Sequence, residues 1–473
     1  MSRPSSNKKM RGTVSDTARA SRLGIFLLLS LIYSSPLEEQ MVVHRQLDTI
    51  PDGYIQAGRA DPKQTINLSV GLASNNNTGL TQRLYDVSMP DSPNYGQYLT
   101  KEEVDEYLRP NVNTTKAFNQ WMSRHGIKPS PTSSSGNHFA IELSVSKAEE
   151  LLNTSFYYFN HTPSNQRLIR TKEYSVPSSL HEDILLLQPT TQFNPPPVVV
   201  TTEPEFPPLS PQILSRAVNN LHVNRCLKYR VNQYGIPSNI QTSEQIGILS
   251  FIGQSVQGVS LANLDSQMVV GLVPSARVKI ITTGSQTSFP LDELDVFNFV
   301  LWQSDPPFVL SMSYGGDEVA TDPDAFESVC EVIKALGTRG VTVIAGSGDG
   351  GVSGIGPESC TKFNLTYPSA CAWVLSVGAT NISSGTEIAA AFSSGGFSNV
   401  FPVEDFQANA SKNYQEKIGN TYAGLYNPQG SIFPVSSMVG WDVPIHDQGV
   451  FGLTGGTSAS APVAAAVITA LNQ

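Results

Sequence analysis

Short apolar segments that alternate with helical stretches are the feature that most constrains the fold of this chain. They recur through its second half, at 246–251, 278–281, 308–311, 341–345 and 374–377. Each is largely apolar along its whole length, as strands buried on both faces are. Continuous apolar strands separated by helices indicate a parallel sheet that helices cover on both sides. We therefore predict an α/β fold for this half of the chain.

A proline-rich linker divides the chain into two domains. The segment 193–211 contains NPPPVVVTTEPEFPPLSP, whose seven prolines disfavour both helix and sheet. Before it, residues 36–192 contain alternating apolar and polar runs such as FAIELSV at 139–145, followed by a helical stretch. We predict a small α+β domain at 36–192 and the larger α/β domain at 212–473.

The first 35 residues have the pattern of a secretory signal. The apolar run LGIFLLLSLIY at 23–33 follows six basic residues and precedes Ser34 and Ser35. It is too short to span a bilayer, and its flanks are typical of a signal that is removed on maturation, with an uncleaved anchor as the alternative. Eight Asn-x-Ser/Thr sequences agree with secretion; they lie at Asn67, Asn76, Asn113, Asn153, Asn160, Asn364, Asn381 and Asn409.

Charge and cysteine content exclude several classes of protein. The net charge of −10 repels phosphate backbones and anionic lipids, so we expect no nucleic acid partner and no membrane partner after signal removal. Four cysteines are too few for a disulfide-built scaffold, and none form the CxxC pair used in zinc or redox sites; they are Cys226, Cys330, Cys360 and Cys371. Some disulfide pairing is expected in a secreted chain, and the sequence does not choose among the three complete pairings.

The sharpest chemical signal is GGTSASAP at 455–462, which leads into an Ala-rich and Val-rich stretch. Pro462 fits only the first turn of a helix, which places Ser458 near the amino end of that helix. Unpaired N–H groups and the helix dipole favour a developing anion there, so Ser458 is a candidate nucleophile. The alternative is a Gly/Ser loop that caps a core helix, with Ser458 or Ser460 as the N-cap.

Carboxylates are the better candidates for the groups that assist this serine, because no histidine after the linker lies in a recognisable motif. Asp265 lies in a predicted helix, 260–268, and shares a face with position 261. Asp349, in the turn GSGDGG, follows a predicted strand, where open α/β sheets carry their sites; when protonated it could donate to an oxyanion. The alternatives are a solvated acid for Asp265 and an Asx-turn for Asp349.

Together these motifs resemble those of the sedolisins, the serine-carboxyl peptidases, and especially their secreted tripeptidyl-peptidase members. The resemblance extends from about Val42 to the last residue. SPNYGQYLTKEEVDEYLRP at 92–110 is similar to the family's propeptide signature; ALGTRGVTVIAGSGDGG, YPSACAWVLSVGAT, SSGGFSNVFP and GGTSASAP follow in the family's order and spacing. The resemblance implies a subtilisin-like α/β catalytic domain preceded by a ferredoxin-like α+β prodomain.

The resemblance also implies roles for individual residues. Ser458 matches the nucleophile, Asp265 the acid that orients the base, and Asp349 the oxyanion-hole acid. The segment Ser313-Tyr314-Gly315 is similar to the family's segment that binds the substrate backbone. A monomeric zymogen with an acid pH optimum is expected, with peptide or protein substrates, its own prodomain as partner, and calcium as the family's cofactor.

Two features depart from the family pattern. The family's general base is a Glu four residues before the helical Asp, and Leu261 stands at that position. Leucine neither accepts a proton nor hydrogen-bonds to Asp265, which predicts slow or absent hydrolysis. The family also continues beyond the nucleophile helix into a calcium-binding segment, whereas this sequence stops 15 residues after Ser458. We therefore assign no metal ligands and expect a catalytic domain that is incomplete at its carboxyl end.

Four functional hypotheses follow from these observations. The first is a secreted serine-carboxyl endopeptidase or tripeptidyl-peptidase. The second is a pseudoprotease that binds peptides or a partner without cutting them. The third is a truncated product that folds poorly, and the fourth is an ordinary subtilisin-type hydrolase that uses a histidine as its base.

Overall fold

The computed structural model describes residues 40–162, 166–193, 234, 242–251, 259–283, 289–318, 323–354, 363–383, 385–447 and 450–472. The predicted signal, and the predicted linker apart from its first residue, lie outside these ranges. We call residues 41–193 the N-terminal module and residues 242–472 the C-terminal module. Both belong to one compact unit, Met41–Gln473.

The N-terminal module is the α+β unit that the sequence predicts. Its strands are β1 Met41–Gln46, β2 Tyr54–Arg59, β3 Thr65–Leu72, β4 Ser130–Pro131, β5 His138–Ser144, β6 Tyr157–His161, β7 Arg167–Arg170, β8 Glu173–Pro177 and β9 Ile184–Gln188. Its helices are α1 Asn77–Ser88, α2 Lys101–Leu108, α3 Val112–Arg124 and α4 Val145–Leu152, with a 3₁₀ turn at Ser178–Leu180. The strands form antiparallel sheets in the orders β4-β5-β3-β9, β2-β6-β7 and β1-β8.

Alternating burial along β5 explains how this module forms its core. Ile141 and Leu143 are buried while Glu142 between them is exposed. The buried side chains join a cluster with Phe118 and Trp121 of α3. A strand that is apolar on one face only packs against helices on that face and leaves the other to solvent.

The C-terminal module contains the predicted parallel sheet. Its strands are β10 Gln245–Phe251, β11 Arg277–Thr283, β12 Val309–Met312, β13 Gly316–Asp317, β14 Thr342–Gly346, β15 Thr366–Tyr367, β16 Leu375–Ser383, β17 Thr386–Ala389, β18 Gly396–Pro402, β19 Gly430–Phe433, β20 Ser436–Val439, β21 Val443–Asp447 and β22 Val450–Thr454. Its helices are α5 Val259–Leu272, α6 Phe289–Trp302, α7 Pro323–Thr338, α8 Asp405–Ile418 and α9 Thr457–Leu471. The central sheet has the order β11-β10-β12-β14-β16-β17, and β20 also pairs with β16. All of these pairs are parallel except β16 with β17.

Helices cover this sheet on both faces, as the continuous apolar strands predict. In β12, Val309 joins a cluster with residues of α5 and α9. Its neighbours Leu310 and Met312 join a different cluster with residues of α6 and α7. Successive residues of a strand point to opposite faces, so the two helix pairs lie on opposite sides of the sheet. The predicted α/β fold is confirmed.

Pro462 lies deeper in its helix than the sequence predicts. Helix α9 begins at Thr457, so Ser458 is in the first turn, but Pro462 is inside the helix, in the second turn. The prediction that this proline marks the first turn is therefore wrong. Proline lacks the N–H that would bond to the carbonyl four residues earlier, which here belongs to Ser458.

One disulfide joins two elements of the C-terminal module. Cys330 of α7 is bonded to Cys371, in the turn that follows β15. The other two cysteines, Cys226 and Cys360, lie outside the described residues. The sequence alone did not choose this pairing from the alternatives.

The two modules pack together through α1 and α7. Two glycines make this close approach possible. A Cβ atom on Gly337 would lie 3.0 Å from Leu84 Cδ1, and one on Gly340 would lie 2.6 Å from the ring of Tyr98. Gly340 also has φ +80°, a conformation that favours glycine.

Polar contacts border this packing. Arg45 of β1 donates to both carboxylate oxygens of Asp324 in α7, at 2.7 and 3.0 Å. Asn77 of α1 donates to Glu331 and accepts a hydrogen bond from Lys334. Among the described residues, no helix is both long enough and apolar enough to cross a membrane.

Candidate active site

The carboxyl ends of β12 and β14 bring the candidate residues to one edge of the sheet. These strands are adjacent and parallel. Ser313 directly follows β12, and Asp349 lies three residues after β14. Parallel strands end at the same edge, which is where open α/β folds carry their sites. The first turn of α9, with Ser458, contacts residues from both of these strand ends.

Ser313 lies between Asp265 and Ser458. Its Oγ is 2.6 Å from Oδ1 of Asp265 in α5 and 2.8 Å from the carbonyl oxygen of Ser458. In the reverse direction, Ser458 Oγ donates to the carbonyl oxygen of Ser313 at 3.2 Å. The structure therefore connects the predicted nucleophile with the predicted orienting acid through one intervening serine.

Asp265 is removed from water. Only 1% of its surface is exposed. Burial raises the pKa of Asp265 to about 8, and the hydrogen bond from Ser313 opposes this rise. Because the desolvation of a carboxylate dominates, the protonated form of Asp265 is favoured over the acid and neutral pH range.

Asp349 is held beside the first turn of α9 by Thr457, the residue that precedes Ser458. Its Oδ1 accepts hydrogen bonds from the N–H of Thr457 at 2.7 Å and from Thr457 Oγ1 at 2.9 Å. Part of Asp349 remains exposed at the surface, but the surrounding protein still desolvates its carboxyl and raises its pKa, and the two bonds from Thr457 oppose this rise. Gly456 caps α9 with φ +134°, and a Cβ there would lie 2.9 Å from Asp349 Oδ2. Glycine is thus required at this position both by conformation and by space.

The segment Ser313-Tyr314-Gly315 connects β12 to the short strand β13. Tyr314 stacks on Phe251 at a ring-centroid distance of 5.2 Å. A Cβ on Gly315 would lie 2.7 Å from the carbonyl oxygen of Tyr367. This segment is therefore in contact with the rest of the module on two sides.

Leu261 belongs to the first turn of α5, four residues before Asp265. Its side chain lies outside the described part of the structure. Among the described contacts, Ser458 Oγ donates to a backbone carbonyl and to no carboxylate or imidazole. A carbonyl oxygen is too weak a base to remove a serine proton.

Two polar groups of this site were not found by sequence reasoning. The hydroxyl of Ser313 was assigned only to a segment that binds substrate, and Thr457 was not singled out. Gly348 N–H donates to Thr457 Oγ1 at 3.0 Å, so Thr457 is hydrogen-bonded to the turn that carries Asp349. A hydroxyl residue directly after a buried strand or directly before the nucleophile is the signal that points to such contacts.

Calcium is the metal that the resemblance leads us to expect. In the ranges that the structure describes, no group of three or more His, Cys, Asp or Glu side chains is arranged to hold a metal ion. We derive no catalytic step from calcium.

Comparisons with known proteins agree with the two modules. Residues 52–193 match the pro-kumamolisin activation domain, and residues 253–473 match the subtilase family. Tripeptidyl-peptidase SED2 of Arthroderma otae is 31% identical over 95% of this chain and 86% of its own length. Probable tripeptidyl-peptidase SED2 of Trichophyton verrucosum is 30% identical over 95% of this chain and 86% of its own length. Tripeptidyl-peptidase SED4 of Arthroderma otae is 30% identical over 97% and 86%. The chain therefore belongs to the sedolisin family of serine peptidases, with a pro-kumamolisin activation domain before its subtilase-like domain.

Proposed function

We propose that this chain is a secreted serine peptidase of the tripeptidyl-peptidase type, made as a zymogen, in which hydrolysis is slow because the general base is missing. Ser458 is the nucleophile, Asp265 the orienting acid and Asp349 the acid that donates to the oxyanion. The segment 313–315 binds the substrate backbone. The observation that carries the proposal is the contact of Ser458, Ser313 and Asp265 beside a helix that has Leu261 at the base position.

The pKa values of the two acids suit work at acid pH. Asp349 can donate to a developing oxyanion only when it is protonated, and desolvation by the surrounding protein raises its pKa. Asp265 is protonated over the same range. Neither acid can then remove the proton of Ser458, so the loss of the separate base is not compensated by either of them.

Secretion agrees with the positions of the Asn-x-Ser/Thr sequences. Six of the eight asparagines are exposed, and Asn364 and Asn381 are half-buried; the exposed ones are Asn67, Asn76, Asn113, Asn153, Asn160 and Asn409. An exposed asparagine is accessible to glycosylation. Recovery of the chain from a eukaryotic culture medium, with a mass that falls on removal of Asn-linked glycans, tests this part of the proposal.

The central experiment restores the base. Leu261→Glu is expected to raise kcat/KM for peptides by about 10² to 10⁴, the usual effect of a general base. Leu261→Gln is the matched control, because glutamine is polar and as large as glutamate but does not accept a proton at acid pH. Ser458→Ala in the Leu261→Glu background should abolish the gain. Rapid cleavage by the unmodified chain that Ser458→Ala abolishes would show that Leu261 does not limit catalysis.

Zymogen processing gives a second measurement on the same variants. At acid pH the unmodified chain should keep its N-terminal module, whereas Leu261→Glu should cut within or near the predicted linker at 193–211. Mass spectrometry after acidification follows this step. Processing of the unmodified chain that depends on Ser458 would contradict slow hydrolysis.

A pseudoprotease is the second candidate, and the engagement of Ser458 Oγ with the Ser313 carbonyl favours it. Such a protein would bind peptides tightly without cutting them. Calorimetric titration of the unmodified chain with a peptide at acid pH, together with a Leu261→Glu variant that stays inactive, would select this candidate.

A further inference from the structure

We infer that Ser313 is a positioning residue of the candidate active site, whose hydroxyl holds both the Asp265 carboxyl and the backbone of Ser458 in place. This inference rests on the proposed function, because it assigns Ser313 a role in the same site. It goes beyond the substrate-backbone role that the segment 313–315 receives from the family resemblance.

Pro462 gives this role its structural reason. In a regular helix, the carbonyl of Ser458 would accept the N–H of the residue four positions later. That residue is Pro462, which has no N–H and whose ring crowds the same carbonyl. The carbonyl of Ser458 therefore needs a donor from outside the helix, and Ser313 Oγ lies 2.8 Å away.

The same hydroxyl also serves Asp265. Within the described part of the chain, this buried carboxyl is hydrogen-bonded to Ser313 Oγ, at 2.6 Å. Ser313 is itself 7% exposed, so water does not readily replace either contact. Two buried acceptors thus depend on one side chain.

A count of protons shows which state satisfies both acceptors. The hydroxyl of Ser313 has one proton, so it cannot fully serve an ionised Asp265 and the Ser458 carbonyl at the same time. When Asp265 is protonated, its own proton is donated to Ser313 Oγ, and the Ser313 proton is free for Ser458. The result is a directed chain from Asp265 through Ser313 to Ser458, with every group paired.

The return contact completes a reciprocal pair. Ser458 Oγ donates to the carbonyl of Ser313 while Ser313 Oγ donates to the carbonyl of Ser458. The end of β12 and the first turn of α9 are therefore joined in both directions. Without the Ser313 hydroxyl, the Asp265 carboxyl and the Ser458 carbonyl each lose a partner, and one of the two hydrogen bonds that join Ser458 to Ser313 is lost.

The first test is a double-mutant cycle on stability in the full chain. Ser313→Ala is expected to lower the melting temperature by about 2 to 4 °C or more, since a buried acceptor is left unpaired. Pro462→Ala supplies an N–H to the Ser458 carbonyl from within the helix. In the Pro462→Ala background, Ser313→Ala should therefore cost less. Equal losses in both backgrounds would overturn the assignment of Ser313 to the Ser458 carbonyl.

The second test uses catalysis in the Leu261→Glu background. Ser313→Ala should lower kcat by about tenfold or more while KM changes little, because it displaces the nucleophile and the acid and not the substrate. Ser313→Thr keeps the hydroxyl and should recover kcat above the Ala variant. Pro462→Ala should restore part of the kcat that Ser313→Ala loses. The part that is not restored comes from the missing hydrogen bond between Ser313 and Asp265. A Thr variant no faster than the Ala variant, or a loss confined to KM, would overturn the positioning role.

The two tests separate this inference from the proposed function. If Leu261→Glu is inactive, the proposed function fails, while the melting cycle still decides whether Ser313 supports Ser458. If Leu261→Glu is active and the cycle shows no coupling, the proposed function stands and the inference about Ser313 is wrong.

Discussion

The N-terminal module buries two histidines and the C-terminal module buries several carboxyls, and comparing them shows how burial acts on a base and on an acid. The N-terminal module encloses imidazoles, those of His44 and His138, whereas the C-terminal module encloses carboxyls, among them Asp265, Glu293 and Glu318. All of these groups favour the neutral form, because burial disfavours a charge. Neutral histidine has lost a proton and a neutral carboxyl has kept one, so the same environment has opposite consequences when the pH falls.

In the N-terminal module, the pKa values of the buried histidines lie below the ordinary value. Burial lowers the pKa of His138 to about 4. Burial also lowers the pKa of His44, and the positive charge of Arg45 adds to this effect. His44 is bonded through its ring nitrogens to Tyr174 Oη and to the carbonyl of Ile184. His181 approaches its ring at 5.3 Å, which adds a second group that opposes protonation.

In the C-terminal module, the pKa values of the buried carboxyls lie above the ordinary value. Burial raises the pKa of Asp265 to about 8 and that of Glu293 well above its usual range. The pKa of Glu318 is raised as well, although Ser398 and the backbone N–H of Asn399 donate to it. Burial outweighs hydrogen bonding in each case.

The directions of these pKa changes determine how each module responds to acid. A histidine whose folded pKa is lowered contributes stability above about pH 6.5, and this contribution is lost as the pH falls toward the folded value. A carboxyl whose folded pKa is raised contributes stability below its unfolded pKa, and this contribution is lost as the pH rises through the folded value. Between pH 7 and pH 4, acid therefore weakens the N-terminal module and strengthens the C-terminal module. A zymogen that must discard one module and keep the other benefits from this opposition.

The difference between the modules in their response to acid should shrink most when Asp265 cannot titrate. As the pH rises from 4 to 8, ionisation of Asp265 should lower the stability of the C-terminal module by on the order of 5 kcal/mol, because each tenfold change in an acid dissociation constant corresponds to about 1.4 kcal/mol. Asp265→Asn should not show this loss. Hydrogen exchange of α5 and β12 amides across this range measures it. Asp305→Asn, at an exposed position of the same module, is the control. An unchanged pH slope in Asp265→Asn would contradict the raised pKa.

In the N-terminal module, replacing His138 should reduce the sensitivity of stability to acid. Between pH 6.5 and pH 4, the N-terminal module of His138→Gln should lose about 3 kcal/mol less stability than that of the unmodified chain. Exchange protection of β3 and β5 amides reports this module separately. His125→Gln is the matched control, since the His125 side chain is 22% exposed and lies beside Glu150. Equal acid sensitivity in both variants would mean that another group causes the loss.

The smallest expected effect comes from the ion pair that crosses between the modules. Arg45→Ala should lower the free energy of unfolding by about 0.2 to 1 kcal/mol at pH 7, because the arginine side chain is 48% exposed. Thermal melts at low and high salt measure this, and salt should shrink the difference. The variant also removes a charge that lowers the pKa of His44, so the contrast between modules should narrow. Melting that is insensitive to salt would exclude an ionic origin.

The α/β core was predictable because its signal is local. Strands buried on both faces must be apolar throughout, and the predicted segment 341–345 differs from the observed strand Thr342–Gly346 by one residue at each end. Ser458 was placed correctly in the first turn of α9, although the reasoning from Pro462 misplaced that proline by a turn. Helix geometry predicts that positions 261 and 265 share a face, since they lie four residues apart in α5.

The rest of the site depends on contacts between distant parts of the chain. Ser313 and Asp265 are 48 residues apart in sequence, and Ser313 and Ser458 are 145 apart. No local pattern shows that one hydroxyl connects both. The burial of His138 could not be predicted from the sequence either, because a histidine in an alternating strand is buried or exposed according to the register of that strand.

Gly337 and Gly340 make the contact between the modules depend on shape complementarity. Their missing side chains leave two notches that Leu84 and Tyr98 fill. A larger residue at position 340 would collide with the ring of Tyr98, and one at position 337 would crowd Leu84, so these side chains would have to move before the N-terminal module could pack on α7. The fit of the N-terminal module on α7 is therefore set by shape at these two glycines as well as by the charges of Arg45 and Asp324.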